Sequence, residues 1–419
     1  MTHSSKHRVV ITGCGVASPL SSDWAGYCRA LHAGRYAATP LPEGAASSRT
    51  KLGARLDPIP QPQSLTPLQL KMSSNLTRLS LFCAEQAWAQ AGLPHDAEFG
   101  ERAGVMVGSG FLNLADLDPV YAQFYDQGVP PPPTTIPLHM GNAPASRIAM
   151  TFGLHGMVMS VTSACSSGSS ALLQSVRLIQ EGRQDLMVAG GSELLICRSL
   201  VLAWERLRVL SQEQTDPSLA CRPFDRERTG ILLGEGAALF VLEERDHALA
   251  RGAHILAEIA GGHQNSDSLD LVKPDGASEA RCMVAALADA GIGPEEIQMV
   301  HAHANGTRLN DETEAGAMTQ VFQSHLPGIS VCAIKAMIGH TMGASGPMAV
   351  AAGLGSLAEG WVYPVPNLGE LDQGMDLQIA RTGEIRPDLE HIMVNTFAFG
   401  GINVSLVFSR SQDERTPKP

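Results

Sequence analysis

The chain has 419 residues, 44% hydrophobic and 17% charged, which is the make-up of a folded chain with a large core and not of a disordered one. Its length allows two or three domain-sized units. A formal net charge of −12 argues against general binding to nucleic acid or to an anionic membrane, so an acidic partner would need a local basic patch.

Val9 to Gly13 (VVITG) is a β-branched run closed by glycine and predicts a buried strand. Met72 to Gly92 carries apolar residues at helical spacing, and Ala103 to Gly108 (AGVMVG) predicts another buried strand. Gly128 to Pro137, with prolines at 130 to 133, predicts a loop or lid. Met157 to Thr162 predicts a strand that runs into Ser163-Ala164-Cys165, followed by a helix over Ser166 to Gly182. Asp185 to Gly191 predicts a strand then a turn, and Ala237 to Leu242 a strand. Further on, Val300 to Ala304, Val331 to Ile334, Ile392 to Phe397 and Val404 to Phe408 predict strands, and Met342 to Glu359 a helix. Strands alternating with helices indicate an α/β architecture.

The halves echo each other. Cys165 to Gly182 and His340 to Gly360 are small-residue helices ending in Glu-Gly. Gly234 to Glu243 and Gly400 to Ser409 are glycine-rich turns followed by strands. Either an α/β unit is duplicated, with a break near Ala260 to Asp267, or Gly/Ala-rich segments match by chance. The expected division is 1–260, 261–412 and a flexible tail at 413–419.

The eight cysteines (Cys14, Cys28, Cys83, Cys165, Cys197, Cys221, Cys282 and Cys332) form no CxxC pair, so neither a disulfide framework nor a zinc site is expected. The first nine residues lack an apolar run of signal-peptide type, and no apolar stretch is long enough for a membrane span. A cytoplasmic location without a membrane segment is the expectation.

Cys165 stands between a strand end and a helix start. A helix N-terminus favours negative charge and lowers a cysteine pKa. Ser166, Ser167, Gly168 and Ser169 leave room for a substrate. Alone, the segment fits a nucleophile or an inert buried thiol. Among fourteen histidines, two stand at strand-to-helix turns: His303 in HAHANGTRLND and His340 in KAMIGHTMGASG. A helix start disfavours imidazolium, and a neutral imidazole there can donate to an anion or carbonyl. His301 reads as a bystander on the same strand face.

Together these segments resemble the β-ketoacyl synthase family of the thiolase superfamily. HANGTRLND is similar to the family's HGTGTPLND, and KAMIGH to its KSMTGH. Arg222-Pro-Phe-Asp225, Gly234-Glu-Gly236, the terminal NTFAFGG with Asn403, and the opening VITGCGV with Ser18-Pro19 follow in family order. The likeness spans roughly 8 to 410, nearly the whole chain. It implies a thiolase-like fold of duplicated βαβαβαββ halves in α-β-α-β-α layers. Two histidines point to the elongating branch, and the lack of a cysteine after Cys332 argues against a thiolase.

The resemblance also implies roles. Cys165 would carry the acyl chain, and His303 and His340 would bind the malonyl thioester oxygen. Lys335 would orient His303, and the N–H groups of Cys165 and Phe399 would form an oxyanion hole, with Phe399 as a gate. Asn305, Thr307, Phe397 and Gly400 would line the substrate site; Glu314, Asp225 and Asn403 would be structural. Arg206 and Arg208 are candidates for docking an acidic acyl carrier protein, whose phosphopantetheine arm would bring both substrates; a solvated helix face explains them equally well. Neither metal nor organic cofactor is implied. A dimer is, with an identical copy or with a chain-length-factor-like subunit, formed through the strand before Cys165. Ala304 and Asn305 stand where Gly-Thr is usual, Ala398 where glycine is, Thr229 where an acid is, and Arg308 where proline is common. These departures leave room for a specialised pathway beside fatty-acid synthesis. A non-elongating, chain-length-factor-like partner subunit, inactive or limited to decarboxylation, and a coenzyme A-dependent acyltransferase of the thiolase superfamily are the other readings.

Overall fold

In the computed structural model, which describes residues 6–94 and 99–411, the apolar runs form one eleven-stranded sheet. Its strands are β1 (Val9–Ala17), β2 (Ala103–Gly108), β3 (Val158–Val161), β4 (Leu186–Glu193), β5 (Gly236–Glu244) and β6 (Ala257–Ser266). They continue with β7 (Met299–His301), β8 (Ser330–Cys332), β9 (Gln378–Ile379), β10 (His391–Ala398) and β11 (Ile402–Arg410). The spatial order is β9-β8-β7-β10-β11-β6-β1-β5-β4-β2-β3. The tail expected at 413–419 lies outside the described residues.

Counted outward from the antiparallel β1–β6 pair, the halves read β1-β5-β4-β2-β3 and β6-β11-β10-β7-β8. In each half the first two pairings outward are antiparallel and the next two parallel, in matching chain order. The glycine-turn-strand echoes become β5 and β11, which hold equivalent places. The boundary expected at 260/261 lies within β6, which links β1 to β11.

The helices that frame the site are α1 (Asn75–Gln90), α2 (Leu114–Gln127), α3 (Ala143–Phe152), α4 (Ser167–Gln180), α5 (Arg198–Leu207), α6 (Gly276–Ala290), α7 (Arg308–Phe322) and α8 (Ser345–Glu359). Helices α4 and α8 pack on each other in the central layer, and α4 touches strands of both halves. Their small residues permit that approach, and residues 345–357 of α8 are all buried. Strand alternation separates the layers: Met106 joins the central core, while Val105 and Val107 face the outer cluster with α1 and α3. Helices α6 and α7 cover the second half. Among the described residues no helix is long and apolar enough to cross a membrane.

Three local expectations shift. Strand β4 runs on through Gly190-Gly191 to Glu193 without turning, because Gly190 serves close packing: a Cβ there would strike the Ala238 carbonyl of β5. The helix expected from Met342 starts at Ser345, after a 3₁₀ turn, since Met342 has φ 41°. Within the expected 128–137 loop, Thr135 begins a short helix reaching His139. Strand β3 ends the sheet with Met159 44% exposed and, among the described residues, no strand beyond it.

Candidate active site

Topology gathers the chemistry at the strand ends. Cys165 follows β3 and precedes α4, and His340 stands at the equivalent place between β8 and α8. His303 follows β7, and Phe399 lies in the turn joining β10 to β11. Beside each of the first three sits a non-glycine residue in the left-handed region: Ala164 (φ 50°), Met342 (φ 41°) and Ala304 (φ 38°). Such residues cost about 1–3 kcal/mol each and persist where surrounding packing enforces them.

Cys165, His303 and His340 line one open cavity of about 710 Å³, together with Asn305, Thr307, Phe397, Phe399 and Asn403. The histidine rings meet edge to face, with centroids 5.2 Å apart and planes at 80°. Phe397 lies 6.4 Å from the His303 ring. Trp204 of α5 stacks on Phe399 at 6.0 Å, forming an apolar wall. The Cys165 sulfur is 4.0 Å from the Met342 sulfur. His301 is buried but does not line the cavity; its ring faces Gly353 of α8. Met140 lines a separate depression beside Met72 and Met150.

Electrostatics correct one expectation. Burial pushes the Cys165 thiol up to about 11, not down; the Lys335 charge and the N–H groups of Phe399 and Cys165 oppose the rise, and Glu193 adds to it. Desolvation therefore outweighs the Lys335 charge and the two N–H donors, and the resting group is a thiol. The same two N–H groups act on the sulfur and hold its pKa below what burial alone would give. Burial, followed by the Lys335 charge, holds both histidines well below their usual pKa. Both rings are neutral at physiological pH.

Lys335 acts on backbone. Its buried ammonium donates to the His303 carbonyl oxygen, while Glu314 accepts the N–H groups of His303 and Ala304, each at 2.7 Å. Together they fix the strained peptide that aims His303. Asn305 Oδ1 accepts from the Thr307 N–H at 2.9 Å and hydroxyl at 2.8 Å, leaving its amide nitrogen for the cavity. Asn403 donates to Asp267 at 2.6 Å. Gly400 does not line the cavity; its N–H ties the Phe399 turn to the Leu271 carbonyl at 2.8 Å. Asp225 accepts the N–H groups of Glu227 and Gly369, both at 2.7 Å. Arg206 and Arg208 are exposed on α5 and just past its end, outside the cavity that Trp204 reaches.

Sequence reasoning missed Arg228, three residues beyond Asp225. Its guanidinium is 1% exposed, sits 3.6 Å from buried Asp311, and donates to the carbonyls of Thr307 and Arg308 at 3.2 and 2.8 Å. It clamps the start of α7 below the His303 loop. Nothing in the sequence distinguishes an arginine that will be buried from one that will be solvated. Arg228→Met removes the counter-charge of buried Asp311 and the 2.6 Å ion pair to Asp372, and is expected to cost about 3–5 kcal/mol, read as a lower midpoint in urea unfolding. An unchanged midpoint would refute the clamp.

Glu279 on α6 was also passed over. Both its carboxyl oxygens are buried without a partner, and burial, with Glu314 and Asp267 adding, pushes it up to about 10. The folded chain therefore holds a proton that the unfolded chain releases above about 4.5. This contribution to stability is full below that pH and is lost as pH rises toward about 10. Glu279→Gln should raise Tm by several degrees at pH 8 and by much less at pH 5. An equal gain at both pH values would contradict this reading.

A duplicated α/β fold with a cysteine and two neutral histidines at its strand ends defines a thiolase-fold acyltransferase. Residues 6–248 match the Beta-ketoacyl synthase, N-terminal domain, and residues 256–369 the Beta-ketoacyl synthase, C-terminal domain, so the chain belongs to the β-ketoacyl synthase family. Nodulation protein E of Rhizobium sp. (strain N33) is 35% identical over 96% of this chain and 98% of its own. The 3-oxoacyl-[acyl-carrier-protein] synthase 2 of Coxiella burnetii is 32% identical over 97% of this chain and 100% of its own. The solved structure of the ishigamide ketosynthase/chain length factor superposes with a TM-score of 0.88 at 29% identity, covering 97% of this chain and 100% of that one.

Proposed function

We propose that the protein is an elongating β-ketoacyl-[acyl-carrier-protein] synthase whose nucleophile is Cys165. The observation that carries this is the convergence of the Cys165 thiol, two backbone N–H groups and two neutral histidines on one cavity. The Cys165 sulfur attacks an acyl thioester, the two N–H groups hold the oxyanion, and the thiol proton ends on the departing carrier. His303 and His340 then donate to the thioester oxygen of a malonyl group as its carboxylate leaves as carbon dioxide. The enolate carbon attacks the acyl-Cys165 carbonyl, the carbon–sulfur bond to Cys165 breaks and its thiolate takes up a proton from solvent, giving a β-ketoacyl product two carbons longer. This chemistry needs no metal or organic cofactor.

Acyl carrier protein is the proposed partner, in keeping with the name of the Coxiella relative. A second subunit, an identical copy or one like a chain length factor, is proposed to pair along β3; the ishigamide ketosynthase/chain length factor supports the second form. A cytoplasmic location completes the proposal, with the product entering fatty-acid or type II polyketide or polyene synthesis. The test is intact-mass analysis after incubation with acyl carrier proteins of graded acyl length and malonyl carrier protein. An adduct on the enzyme and a product extended by two carbons are expected, and the preferred chain decides between the pathways. No adduct from any donor, with or without a candidate partner subunit, would leave a non-catalytic subunit as the better account.

A further inference from the structure

We propose that Ser345 is a positioning residue that fixes the His340 ring with its Nε2 proton turned toward the cavity. The inference rests on the condensing reading above for its kinetic consequence, but not for its geometry. Ser345 opens α8 and is 3% exposed. Its Oγ lies 2.7 Å from His340 Nδ1, and the Met342 N–H approaches the same nitrogen at 3.3 Å.

A backbone N–H can only donate, so Nδ1 must present its lone pair. The ring proton is then on Nε2, in a side chain that lines the cavity. The Ser345 hydroxyl supplies a second and shorter donor to that lone pair. Its own oxygen has acceptor capacity left for the Thr341 hydroxyl, 3.4 Å away. The chain Thr341 to Ser345 to His340 thus runs in one direction, each hydroxyl donating to the next group.

His303 has no such device: its Nδ1 is buried without a partner. The two histidines are therefore unequal. Donors at Nδ1 draw electron density from the His340 ring and strengthen its Nε2–H as a donor. That gain grows as negative charge develops on the thioester oxygen, so it acts in the transition state more than in the ground state. A role of this kind moves kcat and leaves KM nearly alone.

The experiment uses the full chain with ¹⁵N-labelled histidine, and His340 is assigned by its absence in His340→Asn. The wild type should show a neutral ring protonated at Nε2, with Nδ1 shifted as a hydrogen-bond acceptor. In Ser345→Ala that shift should shrink, and kcat for decarboxylation of malonyl carrier protein should fall about five- to tenfold with KM little changed. Ser345→Thr, which keeps the hydroxyl, should restore both. A wild-type proton on Nδ1, unaltered His340 signals in the alanine variant, or a kcat within about twofold of wild type would each overturn the proposal. If the alanine variant does not fold, the wild-type spectrum and the threonine variant decide. A wild type that decarboxylates no malonyl thioester removes the condensing reading, while the spectra still judge Ser345.

Discussion

Cys165→Ala should lose covalent acyl loading and drop condensation by about 10⁴-fold or more, while still decarboxylating malonyl carrier protein. The two halves of this expectation come from different parts of the cavity. Acyl transfer needs a sulfur that can form a thioester, and the other sulfur within reach, that of Met342 at 4.0 Å, is a thioether. Decarboxylation needs donors to an oxygen that gains charge, and those are the histidines, which the substitution leaves in place. Intact mass reads the first half and release of labelled carbon dioxide the second. An acyl adduct that survives on the alanine variant would move the nucleophile elsewhere. Six of the other seven cysteines are buried, and Cys197 is the partly accessible one to inspect.

His303→Ala and His340→Ala should show the opposite pattern. Each removes one donor from the malonyl oxygen, and losing one preorganised donor typically lowers the rate by about 10²–10³. The double variant should lose less than the product of the two, because one remaining donor cannot hold the oxygen in place. Acyl loading of Cys165 should persist in both. Both imidazoles are held well below their usual pKa, so they remain neutral as pH falls through 6.5. The wild-type decarboxylation profile should therefore be flat there, and an acid limb centred near 6.5 would show that one of these rings titrates normally.

Much of this was legible in the sequence because the strands are apolar runs, most of them buried. VVITG, AGVMVG and the run before Cys165 are short apolar segments that have few alternatives in an α/β chain. Cys165, His303 and His340 could be singled out because each stands where a strand ends and a helix begins. The surroundings that tune them were not legible. Arg228, Glu279 and Ser345 look like ordinary polar residues until tertiary packing removes their water. The direction of the Cys165 shift is hidden for the same reason: the helix start can be read locally, but the desolvation that raises the thiol comes from α5, the Phe399 turn and Met342 folding over it. Gly190 was misread because a glycine that permits strands to touch and one that permits a turn are the same letter.

Strand β3 carries one more consequence. A sheet edge with unpaired backbone donors and acceptors is adhesive. Only Thr162, Ser163 and Ala164 separate that edge from the nucleophile, and Ala164 is already held in an unfavourable conformation. A partner strand added to that edge would therefore also brace the sulfur. Solubility and turnover should rise and fall together during purification: chains with an uncovered rim should both clump sooner and work more slowly than chains whose rim is sealed.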